Sequence, residues 1–385
     1  MATKQVLIVG GGFGGVKAAL ELEKHEAFKV TMLSDRPDFR YYPSLYHTAT
    51  GGSRNVSTIP LGEVFGGKKV SVIIGKAAKL HRENHTVTTE ESREIKYDIL
   101  VLALGVVTNY FGIKGLDTFS YGIKSLDDAE ELKAHLQNQL IDERKPDLNY
   151  IVVGGGPSGI ELAGELPHYM HELMKKHGVT DRKIHVDLIE GAPRLMPRMP
   201  ESVSRALSRQ LKKAGVTVIT GKPVQAESAD ALMVGGKPIR SHTVIWTAGV
   251  TNHPFFKENG FMMTQKGKVQ VDQLLQAWPG IFVIGDNADT PYSGMAQTAL
   301  HDAKTVAHNL IRHVEGKQPY AYQPKKPIYV TPAGPKWAAV VWGPLHLYGW
   351  LGYSMRRAAD WIGYHDMEPW WKATGRFLAE GVKED

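Results

Sequence analysis

Val6-Leu7-Ile8-Val9-Gly10-Gly11-Gly12-Phe13-Gly14-Gly15 is an apolar run that ends in G-x-G-x-x-G, on Gly10, Gly12 and Gly15, and opens an apolar helical pattern. Such a stretch reads as strand, tight turn and helix. The first Gly allows the turn. The second lets a pyrophosphate approach backbone with no Cβ in the way, and the third lets the helix pack close on the strand. The diphosphate then rests on free N–H groups at the positive end of the helix dipole. The same grammar returns at Ile151-Val152-Val153-Gly154-Gly155-Gly156-Pro157-Ser158-Gly159, on Gly154, Gly156 and Gly159. One motif alone is also compatible with a ligand-free glycine turn. Two together imply two dinucleotide sites, and an enzyme passing electrons between the nucleotides they hold.

Outward from the first motif, residues 5–33 read as strand, turn, helix and strand, and 99–104 as a strand ending at Gly105. A polar amphipathic helix is expected over 126–142. The second unit runs from Tyr150, with its helix reaching about His177, a strand over 184–189, a helix over 202–214, and strands over 216–219 and 244–247. The chain then returns to the first unit, with an apolar strand over 281–284 feeding Gly285-Asp286 and a helix over 296–310. The expected fold is α/β: two Rossmann-like, doubly wound domains, one over 1–110 and 250–324, the other inserted over 111–249. A small C-terminal module is expected over 325–385, because six of the eight tryptophans lie between Trp337 and Trp371.

Composition prunes function. Among 385 residues there is no cysteine, which excludes disulfides, thiolate metal sites, iron–sulfur ligation and redox dithiols. No metal site is expected. The net charge of +6 suits anionic partners, but no nucleic-acid motif accompanies it. No signal segment is expected ahead of the strand that starts near Gln5. No apolar run is long enough to span a bilayer, and a cytosolic chain is expected.

The strand ends assign the nucleotides. The strand His185-Val186-Asp187-Leu188-Ile189 ends at Glu190, where a carboxylate accepts from a free ribose 2′-OH and repels a 2′-phosphate. That favours NADH over NADPH, with Arg194 close enough to soften the preference. In the first unit the strand ends Leu33-Ser34-Asp35, and Asp35, with Ser34 as a weaker ligand, is assigned to the ribose of FAD. Gly280-Ile281-Phe282-Val283-Ile284-Gly285-Asp286 delivers a Gly for close approach to a pyrophosphate and an Asp for the ribityl chain.

With these motifs in hand, residues 4–312 resemble the two-dinucleotide flavoprotein reductases, and within them the type II NADH dehydrogenases (NADH:quinone oxidoreductases). Tyr42-Pro43-Ser44-Leu45-Tyr46-His47-Thr48-Ala49-Thr50-Gly51 resembles the loop lining the flavin. Tyr97-Asp98-Ile99-Leu100-Val101-Leu102-Ala103-Leu104-Gly105 and Thr247-Ala248-Gly249 resemble the two crossovers. Gly154 to Glu165 is similar to the NADH fingerprint, and Gly294-Met295-Ala296-Gln297-Thr298-Ala299-Leu300 to the segment under the isoalloxazine ring. The resemblance implies cofactor contacts at Pro43, Ala103, Gly105, Gly249, Ala296 and Gln297. It also implies that Glu161 and Glu165, four residues apart on one helix face, approach the nicotinamide and relay a proton. His301 stands where that family commonly has a second Gln, and the segment from Tyr329 to Trp337 departs from its usual C-terminal pattern.

Each candidate has a plainer alternative. Glu165 could be a surface or interdomain charge, Gln297 a helix N-terminal hydrogen bond only, and His301 a structural histidine rather than a proton donor to quinone. At the C-terminus, Leu347, Trp350, Leu351, Ala358, Trp361 and Ile362 are expected on one helical stripe, with Arg356, Arg357 and Asp360 polar. Aromatic rings with basic neighbours suit a helix lying in a membrane interface. A homodimer interface or a cap on the flavin domain fits the same pattern. Removing 336–385 is expected to spare hydride transfer and to weaken membrane binding. The expected enzyme takes a hydride from NADH to FAD and passes electrons to a quinone, peripherally on the cytoplasmic face of the cell membrane. A soluble NAD(P)H-dependent ferredoxin- or rubredoxin-type reductase and a redox-sensing flavoprotein are the alternatives.

Overall fold

The computed structural model describes residues 3–141, 147, 149–179 and 182–379. The ends of the expected helix over 126–142 and of the module over 325–385 therefore fall partly outside the described residues. The first strand, β1 (Lys4–Val9), leads into α1 (Phe13–Leu22) and β2 (Phe28–Ser34), followed by β3 (Val70–Ile74) and β4 (Ile99–Leu102). The chain crosses to the second unit on β5 (Val106–Thr108). After α2 (Leu126–Ile141) come β6 (Tyr150–Val153), α3 (Pro157–Lys176), β7 (Val186–Glu190), α4 (Glu201–Lys213), β8 (Val216–Thr220) and β9 (Thr243–Trp246). It returns on β10 (Val250–Asn252) to β11 (Gln276–Trp278), β12 (Ile281–Val283) and α5 (Ala296–Val314).

The first sheet has the order β11-β12-β4-β1-β2-β3, parallel except for β11; the second has β8-β7-β6-β9, all parallel. Each sheet is covered on one face by helices and on the other by a three-stranded antiparallel meander, over 77–96 in the first unit and 224–240 in the second, so the fingerprint strands are apolar throughout rather than alternating. Val6 and Ile8 enter one core while Leu7 and Val9 enter another. Tyr150 and Val152 divide from Ile151 and Val153 in the same way. Each side chain so buried stabilises the fold by about 2 kcal/mol. The linkers β5 and β10 pair antiparallel. Asn287, fully buried, fastens them: its side chain bonds the Gly105 N–H at 2.8 Å and the Asn252 carboxamide at 2.6 Å.

The C-terminal segment departs from expectation. It starts as an antiparallel meander, β13 (Tyr329–Pro332), β14 (Ala338–Trp342) and β15 (Leu345–Gly349), before α6 (Trp350–His365) and α7 (Trp370–Ala379). Leu347 therefore sits on β15 opposite Val340, not on a helical stripe. Gly349, at φ +75°, breaks the strand and starts the helix.

The polarity of α6 is inverted. Gly352, Arg356, Asp360 and Tyr364 form its buried stripe, while Trp350, Leu351 and Ile362 are exposed. Arg356 and Asp360, which the sequence marks only as polar, are among its most buried residues. A Cβ on Gly352 would collide with the Ala338 carbonyl, so the helix lies flush on β14. Among the described residues no helix is long and apolar enough to cross a membrane.

Candidate functional site

The two glycine turns are near copies. Gly10 and Gly154 have φ of +115° and +120°. Their N–H groups donate to Leu33 and Ile189 carbonyls, each at 2.8 Å. A Cβ on Gly15 would strike the Gly10 carbonyl, and one on Gly159 the Gly154 carbonyl. Gly12 and Gly156 instead face open space within 4 Å. Each turn also leans on its crossover: the Ala103 N–H bonds Val9 at 2.8 Å, and the Thr247 N–H bonds Val153 at 2.9 Å. The chain thus holds two cradles with their middle glycine open, as a diphosphate requires.

At the second cradle Glu190 accepts from the Gly155 N–H at 2.6 Å and from the Ala192 N–H at 2.7 Å. Its neighbour Arg194 is fully engaged elsewhere. The guanidinium donates to the carbonyls of Met199 at 2.8 Å and Pro197 at 2.6 Å, and to Ser204 Oγ at 2.8 Å. It shapes the loop after β7, and among the described residues Glu190 has backbone N–H partners but no ion-pair partner. At the first cradle Ser34, not Asp35, fills the position of Glu190: it lies under Gly11 as Glu190 lies under Gly155. Asp35, half exposed, faces Arg40 at 3.6 Å and Arg36 at 3.9 Å.

Cations that the sequence gave no signal for gather along the first cradle. Lys124 stands 4.8 Å over the Tyr42 ring, and Arg40 5.8 Å from it. Burial lowers the Lys124 and Lys268 ammonium groups below the usual lysine range, with Asp286 opposing it. Lys268 also donates to the Asp286 carbonyl. Gly285, at φ +67°, gives its N–H to the fully buried Asp302 at 2.9 Å. Helix α5 begins at Ala296 with no side-chain cap and no acid in its first turn, so its leading N–H groups are open to an anion. These features fit the diphosphate and ribityl chain of FAD.

Further along α5 the candidates are tied to backbone. Gln297 clamps Ile328, donating to its carbonyl at 2.9 Å and accepting its N–H at 3.1 Å. His301 Nε2 lies 2.8 Å from the Gln323 carbonyl. Both hold the segment that leads to β13.

Helix α3 of the second unit, the Tyr41–Pro43 loop of the first and α6 meet at a buried ionic cluster. Glu161, on the first turns of α3, lies 3.4 Å from Arg356, which bonds Asp360 at 2.6 Å and the Pro43 carbonyl at 2.7 Å. Tyr41 donates to Asp360 at 3.0 Å and stacks on Tyr364 at 4.3 Å between centroids. Burial pushes the Glu161 carboxyl up to about 7, Arg356 pulling it down and Asp360 pushing it further up. Glu165 follows one turn on, half-buried. Arg356 and Asp360 carry no sequence signal as site residues; beside an apolar stripe they read only as polar.

With that geometry in view, comparisons place the chain. The family model described as pyridine nucleotide-disulphide oxidoreductase matches residues 4–303. A Staphylococcus aureus protein described as type II NADH:quinone oxidoreductase is 28% identical over 338 residues, 82% of this chain and 83% of that one. The structure of NDH2 from Plasmodium falciparum in complex with NADH superposes with a TM-score of 0.87 at 18% identity, covering 98% of this chain and 97% of that one. The sulfide:quinone oxidoreductase of Aquifex aeolicus superposes with a TM-score of 0.81 at 21% identity, covering 97% and 92%. At these identities the two structures speak for the fold.

Proposed function

The chain belongs to the pyridine nucleotide-disulphide oxidoreductase family, and from that membership we propose that it is an FAD-dependent NADH:quinone oxidoreductase working at a membrane surface. FAD occupies the first cradle and NADH the second. When bound, FAD supplies the redox chemistry, taking a hydride from NADH and returning electrons to the quinone. The protein's part is placement. Gly10, Gly12 and Gly15 seat one diphosphate and Gly154, Gly156 and Gly159 the other. Ser34 and Glu190 mark the ribose ends, and Asp35 stands beside Ser34. Lys124, Arg40 and Lys268 supply positive charge along the first, and Gly285 and Asp286 reach the ribityl chain. The open N-terminus of α5, at Ala296 and Gln297, favours negative charge on the ring. Glu161 and Glu165 face the nicotinamide, with Glu161 as the proton-holding group.

The sulfur relay in the family's name has no counterpart in a chain without cysteine. The similarity to a relative named for quinone reduction supports the acceptor. So does the inverted α6, which is the observation that carries the assignment. A helix that buries an Arg–Asp pair and exposes Trp350, Leu351 and Ile362 is built for an apolar neighbour. With Trp370 and Trp371 exposed on α7, that neighbour is assigned to a bilayer, on its cytoplasmic face, rather than to a second copy.

The test is an anaerobic titration of purified protein with NADH followed by a short-chain quinone. Yellow absorbance should bleach with NADH and return with quinone. A colourless protein that cannot be reconstituted with FAD rejects the reading. Turnover with ferredoxin and none with quinone replaces it by a soluble reductase.

A further inference from the structure

The turn after β5 exposes an aromatic ring at a backbone angle that Phe seldom adopts. Phe111 has φ +52° and is 61% exposed. A bulky residue in the left-handed region costs about 1–2 kcal/mol. The ring's one edge-on contact, with Trp246 at 6.4 Å between centroids, leaves most of the phenyl in solvent. Yet the turn is held firmly. The Asn109 side chain accepts the Phe111 N–H at 2.8 Å, and the Asn109 carbonyl accepts from Trp246 Nε1 at 2.9 Å. The Asn109 N–H donates to the Gly249 carbonyl at 3.0 Å, and the Ile113 N–H to that of Tyr110 at 3.0 Å. Four bonds thus fix a conformation that seats one edge of the ring on Trp246 and presents the rest of it to solvent.

The ring's position says what it is for. A Cβ on Gly249 would fall on the Phe111 ring. Two residues earlier, Thr247 and Ala248 press on the second cradle: a Cβ on Gly154 would lie 2.6 Å from Thr247 Oγ1 and 2.9 Å from the Ala248 N. Steps of about 3.8 Å per residue put the ring roughly 10 Å from the diphosphate turn, within one nucleoside's reach. The first cradle has no such wall. Gly105, the counterpart of Gly249, meets nothing within 4 Å and has its N–H bonded by Asn287 instead.

We propose that Phe111 is a binding wall of the second cradle, whose ring packs against a nucleoside of bound NADH. A side chain at Gly249 would displace the wall and would also strike the Asn109 carbonyl that holds the turn. Tyr110 and Trp246, centroids 6.3 Å apart, back the turn from inside. The proposal rests on the reading of the second cradle as the NADH site.

The test uses the flavin-loaded protein and 1,4,5,6-tetrahydro-NAD, which takes the place of NADH and cannot give up a hydride, so that binding is read without turnover. By calorimetric titration, Phe111→Ala should bind the analogue about tenfold more weakly, and Phe111→Trp should restore affinity. The melting temperature of Phe111→Ala should fall little, because most of the ring is exposed and its packing is one edge contact with Trp246. An unchanged Kd in Phe111→Ala, with the wild type binding, overturns the proposal. So does equal loss of affinity in the Ala and Trp variants with a lowered melting temperature, which would make the turn structural. A wild type that fails to bind the analogue overturns the NADH reading of the cradle, and the wall with it.

Discussion

The Arg356 guanidinium stands 3.4 Å from the Glu161 carboxylate across 195 residues of sequence. This contact fastens the C-terminal helix α6 to the head of the second-cradle helix α3. Through the Pro43 carbonyl it also reaches the loop over the first cradle. Arg356→Leu would leave Glu161 and Asp360 buried without a counter-charge, at a cost of about 3–5 kcal/mol. Thermal melting should fall by several degrees and flavin should be lost more readily on dilution. Arg356→Lys keeps the charge but not the fork, and should retain most stability while slowing NADH-driven flavin bleaching. Equal stability of Arg356→Leu and wild type would show that the cluster is not organised by this residue.

Glu161 gives the cluster a pH signature. Burial raises its folded pKa to about 7, above the 4.5 expected of an unfolded glutamate. Between these values the folded protein binds more protons than the unfolded one, so this group's contribution to stability falls as pH rises from about 4.5 to 7. Glu161→Gln has no such loss. The stability of the variant relative to wild type should therefore grow across that window, by on the order of 3 kcal/mol, and level off above it. The rate of flavin reduction by NADH should show an inflection near pH 7 in the wild type, faster on the acid side where the carboxyl is neutral beside the incoming negative charge. Parallel stability curves for the two proteins would contradict this assignment.

The proposed preference for NADH rests on Glu190 having no cation beside it among the described residues. Arg194 is four residues along but is spent on the carbonyls of Met199 and Pro197 and on Ser204. Glu190→Ala should lower kcat/KM for NADH about tenfold, the worth of one charge-assisted hydrogen bond. Because Glu190 also receives the N–H groups of Gly155 and Ala192, loosening of the turn will affect both nucleotides. The decisive quantity is the NADH/NADPH ratio, which should drop. An unchanged ratio would remove Glu190 from the ribose site.

The residues that the sequence announced are those whose job is local. Gly10, Gly12 and Gly15 announce a cradle because turn, open face and helix contact all lie within six positions, and the same holds from Gly154 to Gly159. Glu190 is legible because a strand end has a fixed place relative to its turn. Ser34 and Asp35 were harder, since adjacent residues compete for one place, and packing under Gly11 favours Ser34. Arg356, Asp360, Lys124 and Lys268 gave no signal. Their contacts span tens to hundreds of residues, and a lone charged side chain, on a helix as at Arg356 and Asp360 or in irregular chain as at Lys124 and Lys268, does not show its burial until its neighbours are known. The meander from Tyr329 to Gly349 is not announced, because its strands are four or five residues long and Pro, Gly and Trp interrupt any period-two pattern.

The inverted α6 also changes how the C-terminal segment must be tested. Deleting 336–385, expected from sequence to spare hydride transfer, would remove Arg356, Asp360 and Tyr364, the last of which bonds the Val56 carbonyl at 2.8 Å and stacks on Tyr41. The loop at Pro43 would lose its support, and such a truncation should lose flavin as well as membrane binding. Substitutions on the outer face separate the two effects. Trp370 and Trp371 are 62% and 60% exposed, so replacing both by Ser removes little packing from the fold. Each aromatic side chain transferred into a lipid interface contributes about 1–2 kcal/mol. The double variant should therefore bind vesicles at least tenfold more weakly, and adding Trp350→Ser and Leu351→Ser should weaken binding further. Flavin content and the rate of bleaching by NADH should stay at wild-type values, while turnover with a long-tailed quinone in vesicles falls more than turnover with a short-tailed quinone in solution. If vesicle binding is unchanged and a wild-type dimer becomes monomeric instead, the exposed face belongs to a second copy of the chain and not to lipid.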